Sequence, residues 1–153
     1  MRILLLKLLS ILILWPLISC ERALVAEAQL EIQVASIQYR PGDPVNVRLY
    51  NPTQRTVYIR RCGNSSYRYA VIMRRTGQEA VIVKSDSCNS FNQQILQIPS
   101  GEELQLVFTL TLNPGIVPDP EATYRIQLHV FDSTREMIAP PRNESNQFTL
   151  RRN

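Results

Sequence analysis

The sequence is poor in the residues that most active-site chemistry needs. Its 153 residues include a single histidine, one tryptophan, three cysteines and five glycines, and its only lysines are Lys7 and Lys84. His129 alone cannot build a histidine-rich metal site, and its outward position in a strand pattern suits a surface imidazole better than a triad base. No Gly-rich phosphate loop, GxSxG elbow, HExxH helix or CxxC pair occurs. A calcium site could draw on Asp119, Glu121 and their neighbours, but no EF-hand spacing is present and aspartate is favoured in turns for its backbone bonding alone. The expectation is a protein that is not an enzyme and has no catalytic residue, no metal and no cofactor. A formal charge of +4 falls well short of a dedicated nucleic-acid binder. With 44% hydrophobic and 20% charged residues, disordered, collagen-like and multi-domain chains are excluded as well.

Long apolar runs are also scarce. The one of note, residues 8–18, is broken by Ser10 and Pro16 and preceded by Arg2 and Lys7. As a helix it rises about 17 Å, against a bilayer core of about 30 Å, so it reads as a secretory signal and not as a span. Its end, Leu17-Ile18-Ser19-Cys20, resembles the lipobox of bacterial lipoproteins. That resemblance implies a diacylglyceryl group on the Cys20 thiol, cleavage before it, and a palmitate-type acyl chain on the freed amine. A competing small-x-small site, Ala26-Glu27-Ala28, would release a soluble secreted chain beginning at Gln29. It leaves Glu21, Arg22 and Glu27 between the apolar run and the cut, which disfavours it. The expected organisation is a signal peptide over 1–19, an acylated cysteine and tether over 20–29, and one domain over 30–153. Glu21, not aspartate, follows the cysteine, and which membrane face the chain occupies stays open.

Assigning Cys20 to lipid leaves Cys62 and Cys88, and a lone pair in an exported chain is most simply a disulfide. Closing a loop of about 26 residues stabilises by about 3 kcal/mol on the chain-entropy model. Without the signal, 15 basic side chains face 13 acidic ones, the basic ones almost all arginine. Sequons at Asn64-Ser65-Ser66 and Asn143-Glu144-Ser145 matter only in a eukaryotic secretory pathway, which the lipobox argues against.

From residue 30 onward the pattern alternates. Val45, Val47 and Leu49 form one stripe; Leu104, Leu106, Phe108, Leu110 and Leu112 a second; Tyr124, Ile126, Leu128 and Val130 a third. Each predicts a strand with one face on a core and one in water. Weaker strand patterns cover 30–34, 56–61, 67–74, 79–84, 94–98 and 147–151. Glycine and proline fall between these runs, in RPGDP, RTGQE, PSGEE and NPGIVPDPE, where turns belong. The expected fold is all-β, an antiparallel sandwich of about 7–9 strands.

The runs YRPGDPVNVRLYNPTQRTVYI, IPSGEELQLVFTLTL, TYRIQLHVF and NQFTL, in that order, resemble bacterial immunoglobulin-like modules. The intracellular proteinase inhibitor domain of bacilli is similar in general pattern. Residues 120–125, PEATYR, stand where many members have a pG-x-Y-R motif. The resemblance implies an immunoglobulin-like β-sandwich that binds, spaces or decorates, with no ligand specified. Asn51-Pro52-Thr53 is also similar to the loop that chagasin-like cysteine-protease inhibitors insert into a cleft. Here the glycine-rich partner loop is missing, and Pro141-Arg142 is a poor counterpart for the third loop.

Arg48, Tyr50, Tyr58 and Arg60 fall at outward positions of two consecutive strand patterns, with Tyr67 and Arg68 soon after. Tyrosine and arginine dominate interface hot spots, so these six are the candidate partner-binding residues; a solvated sheet face with cross-strand packing would use the same residues. The functional expectation is a lipoprotein held to a membrane through Cys20, facing the periplasm or exterior. It would serve as a non-catalytic binding or assembly module for another envelope protein. The alternative is an exported protease inhibitor of the same fold.

Overall fold

The computed structural model describes residues 28–62, 66–85, 93–132 and 135–151. The signal peptide, Cys20 and Cys88 therefore lie outside the described residues. Within them the chain is all-β, with no helix and hence none long and apolar enough to cross a membrane.

The strands are β1 (Glu31–Val34), β2 (Gln38–Tyr39), β3 (Pro44–Tyr50), β4 (Val57–Cys62), β5 (Ser66–Tyr67), β6 (Tyr69–Arg75), β7 (Gln78–Lys84), β8 (Gln93–Ile98), β9 (Glu103–Thr109), β10 (Thr123–Leu128), β11 (Val130–Phe131) and β12 (Thr149–Leu150). Three antiparallel sheets result. In one, β3 lies between β1 and β9; in another, β6 lies between β10 and β7. In the third, β4 pairs with β8 along one side and with β11 and β5 along the other. A short parallel pair joins β12 to β2. Only Arg68 separates β5 from β6, and only His129 separates β10 from β11; the His129 N–H donates to the Arg68 carbonyl at 3.2 Å, which links the second and third sheets at that break.

The alternating stripes account for the core. Val45, Val47 and Leu49 are fully buried, as are Leu106, Phe108 and Leu110 opposite them across the β3–β9 ladder and beyond its end. Tyr124, Ile126, Leu128 and Val130 are buried despite the break at His129. All belong to a single hydrophobic cluster with Val57, Ile59, Val71 and Val83, so each sheet contributes one face to a common interior. Phe108 of β9 packs against Tyr67 and Tyr69, ring centroids at 6.1 and 4.4 Å, binding the first sheet to the other two.

Turn chemistry agrees with the strand ends. Thr76 and Gly77, at φ 41° and 82°, make the two-residue link between β6 and β7. Positive φ at both positions matches the twist of a hairpin and is the reason glycine stands there. Near the C-terminus, residues 144–148 run between two sheet edges. Ser145 bridges Ile32 of β1, while Glu144 and Phe148 bridge Gln127 and Tyr124 of β10. Asn146 completes the cover, its Oδ1 accepting from the Val34 N–H at 2.7 Å.

Tyr124 ties the loop before β10 to the sheet. Its hydroxyl accepts from the Asp119 N–H at 2.9 Å and donates to the Asp119 carbonyl at 3.0 Å. Burial pushes its phenol above the ordinary value, and does the same at Tyr69. Tyr124→Phe is expected to destabilise by roughly 1–2 kcal/mol, because two part-buried backbone groups lose their partner. A raised tyrosine pKa contributes stability that is complete below about pH 10 and lost as pH rises through the folded value. Urea melts of wild type and variant should therefore converge at strongly alkaline pH.

Candidate functional site

The structure divides the candidate binding residues. Arg48 and Tyr50 lie on β3, while Tyr58 and Arg60 lie on β4, which has different sheet partners. Their in-strand neighbours Val47, Leu49, Val57 and Ile59 all enter the same core. The two outward faces therefore belong to different sheets.

The β3 side is electrostatically satisfied. The Arg48 guanidinium donates to Glu103 at 2.6 Å and lies 5.2 Å from the centre of the Tyr50 ring. The hydrogen bond from Arg48 holds the Glu103 carboxyl below its usual range, helped by Gln105, and raises Arg48 in turn. Both groups are solvent-exposed, where such a pair contributes little.

Two of the six candidates are not surface tyrosine and arginine in the expected sense. Tyr67 is a correction: it is buried, with its ring edge-on to Phe108, and is a core residue. Arg68 is half-buried, with a buried Nε that has no hydrogen-bond partner among the described residues, at the junction between β5 and β6.

The β4 side is different. Tyr58 stands opposite Gln97 of β8 and Phe131 of β11; Arg60 stands opposite Ile95 of β8. The Arg60 guanidinium lies 4.7 Å from the centre of the Phe131 ring, a cation–π contact that fixes a long side chain at low entropic cost. Arg48, Arg74, Arg75 and Arg125 by contrast are each ion-paired. Ile95 is 59% exposed beside them. Together with Asp132 and Arg135 these residues line a concavity of about 440 Å³. Phe131, Ile95 and Arg135 were not singled out by sequence. The alternating stripe ending at Val130 carried the signal that Phe131 faces outward, but the pairing that brings it beside Tyr58 is long-range.

Other candidates find structural employment. Asp119 and Glu121 are bridged by Arg75, at 2.7 and 3.0 Å; a guanidinium occupies the place where the sequence allowed a cation. Among the described residues no group of three or more histidine, cysteine or acidic side chains could hold a metal. Asn143 is 1% exposed, its amide donating to the Leu128 carbonyl at 3.0 Å, so this sequon is inaccessible in the folded chain.

The Asn-Pro-Thr turn is a fastening. Asn51 is fully buried, and its Nδ2 donates to the carbonyls of Arg55, Ile98 and Pro99 at 2.8, 2.9 and 3.2 Å. Its Oδ1 accepts from the Thr53 N–H and hydroxyl at 3.1 and 2.6 Å. The Asn51 carbonyl accepts from Gly101 N–H at 2.7 Å, where φ is 78°. The side chain that would lead an inhibitory loop is thus committed to joining two turns.

No family model matches the chain, and no curated protein matches it. Among solved structures, the chain is similar to Spo0M, a sporulation control protein from Bacillus subtilis, at 16% identity and a TM-score of 0.44. The match covers 84% of this chain and about half (51%) of that one. The likeness is too slight to carry over the fold or role of that protein.

Proposed function

We propose that this chain is a lipid-anchored extracytoplasmic protein whose immunoglobulin-like β-sandwich is a non-catalytic docking module for another protein of the cell envelope. The observation that carries the docking role is the outward face of β4 with its neighbours, where Arg60 stacks on Phe131 beside Tyr58 and Ile95. Aromatic, arginine and exposed aliphatic side chains on a rigid sheet are the composition of an interface centre. The immunoglobulin-like assignment is supported by the Tyr124 hydroxyl bound back to Asp119, a device typical of the corner before a late strand of such sandwiches. The anchor is supported by the lipobox ending at Cys20. The Cys62–Cys88 disulfide is supported by the burial of Cys62 at the end of β4.

The experiment is co-purification of tagged full-length chain from bacterial membranes after reversible cross-linking. Tyr58→Ala with Arg60→Ala is expected to remove the specific partner, a loss of roughly 2 kcal/mol or more in binding. Arg48→Ala with Tyr50→Ala should retain it. Equal retention by both double variants would refute the assignment of the site. Nothing in the geometry favours the inhibitor reading, since Asn51 is buried.

A further inference from the structure

We infer that the hollow beside Arg60 receives an acidic peptide segment of the partner, with one carboxylate seated between the Arg60 and Arg135 guanidinium groups. The inference rests on the docking role proposed above and adds the chemistry which that role would recognise.

Charge singles this hollow out. Residues of β4 and β8 line it together with Phe131, Asp132 and Arg135, so arginine outnumbers acid there. Residues 133–134 are serine and threonine and add no charge. Among the described residues neither Arg60 nor Arg135 forms an ion pair. Other hollows differ. The one along 110–118 is lined by no charged residue. The one beside Arg55 and Arg142 sets two acids, Asp132 and Glu136, against them. In the one at 117–121 the arginine is Arg75, already bridged to Asp119 and Glu121.

The two cations are presented in different ways. Arg60 lies over the Phe131 ring at 4.7 Å, so little side-chain freedom is left to lose on binding. Its N–H donors lie in the guanidinium plane, and a contact through the face of that plane keeps them for a carboxylate. Arg135 is exposed and stands at φ 68°, uncommon for a residue with a Cβ. Its turn enforces this. The Asp132 N–H donates to the Glu136 carbonyl at 3.0 Å and the Arg135 N–H to the Asp132 carbonyl at 3.1 Å. The Asp132 Oδ1 accepts from the Glu136 N–H at 3.1 Å, so the one acid of the hollow is engaged by the turn that carries Arg135. Tyr58 and the exposed Ile95 add apolar contact, which a peptide uses and a lone inorganic anion does not. A hollow of about 440 Å³ also suits a protruding side chain better than a flat bilayer surface.

The test is fluorescence polarisation of labelled peptides with the full chain in mild detergent. The probes are a Leu-Glu-Leu-Glu-Leu peptide and its Leu-Gln-Leu-Gln-Leu twin. The glutamate peptide should bind about tenfold or more tighter, the expected gain of a charge-assisted pair. That margin should vanish at about 1 M salt. Arg135→Gly should abolish it with an unchanged circular dichroism spectrum, since glycine takes a positive φ freely. Arg55→Gln removes the same charge from the neighbouring hollow and should keep the margin. Equal or undetectable binding of the two peptides overturns the inference. So does an equal loss with Arg55→Gln, which would mean diffuse attraction. Arg135-dependent binding to vesicles of phosphatidylglycerol and phosphatidylethanolamine, without discrimination between the peptides, overturns it in favour of a membrane. If the peptides are not distinguished while Tyr58→Ala with Arg60→Ala still removes the co-purified partner, the docking role stands and its acidic specificity falls.

Discussion

Asn51→Ala should cost the fold about 3–4 kcal/mol, a large effect for a single polar side chain. One amide group serves three carbonyls and two donors of the turns at 51–55 and 98–101. Truncation leaves the Ile98 carbonyl buried and without this donor, and the turn loses the clamp on Thr53. A neutral net hydrogen bond is worth about 1 kcal/mol, whereas a buried group stripped of its partner costs about 1–3 kcal/mol, so the unsatisfied groups dominate. With a urea slope of about 2 kcal/mol per molar, the midpoint should fall by about 1.5–2 M. Asn51→Asp separates polarity from donor capacity: it keeps the acceptor toward Thr53 but faces a carboxylate against carbonyl oxygens. It should be at least as damaging at neutral pH and should recover as pH falls and the carboxyl gains a proton to donate. A midpoint shift below about 0.5 M for Asn51→Ala, equivalent to about 1 kcal/mol, would mean that water takes over the amide's role.

The buried position of Asn51 was not legible in the sequence, and the reason is general. Period-two alternation reports which side chains face a core, because burial of apolar surface is non-directional and repeats with the strand. Val45, Val47 and Leu49, or Tyr124 to Val130, could be placed inward on that basis and are buried. A polar residue in a turn gives no such signal, since Asn-Pro-Thr is equally good in an exposed loop. Tyr67 failed for a related reason. The alternation runs through 67–74, but the break at Arg68 resets it, and only the ladder with Arg61 of β4 places Tyr67 inward. The parallel β2–β12 pair and the bridges from 144–148 join residues more than a hundred positions apart, or make single contacts, and neither leaves a local pattern.

The candidate site shows the same division. Tyr58 and Arg60 were legible as outward residues of a strand. That Arg48 and Tyr50 belong to another face depended on whether residues 51–55 cross between sheets, which the partners of β3 and β4 decide. What turns an arginine and a tyrosine into a platform is Phe131, which arrives from β11, 71 positions from Arg60. A paired arginine such as Arg48 and a stacked one such as Arg60 are identical in sequence; the partner across the sheet makes the difference. Charge removal at Arg48 should therefore leave binding intact even though the same residue types are lost.

Cys20→Ser carries the other large effect, on location and not on stability. A thiol is the group that takes the diacylglyceryl thioether, and serine offers no equivalent under the same chemistry. One buried acyl chain gives a membrane association constant of about 10⁴ M⁻¹, marginal and reversible, whereas two or more chains hold a protein stably. Loss of the thiol removes the diacyl portion and, with it, the amine freed by cleavage at that residue. The variant should lose its lipid-dependent hold on the membrane, appearing either as an unprocessed precursor that keeps its apolar signal peptide or as a soluble chain cut after Ala28 and beginning at Gln29, the latter leaving the membrane fraction by orders of magnitude. Carbonate extraction followed by intact mass measurement distinguishes these forms. The soluble form should melt with the wild-type domain, because the first strand, Glu31–Val34, lies beyond the cut after Ala28. Wild-type chain recovered without lipid, or a Cys20→Ser chain still retained in carbonate-washed membranes after cleavage, would remove the anchor and leave the Tyr58–Arg60 face to act from solution.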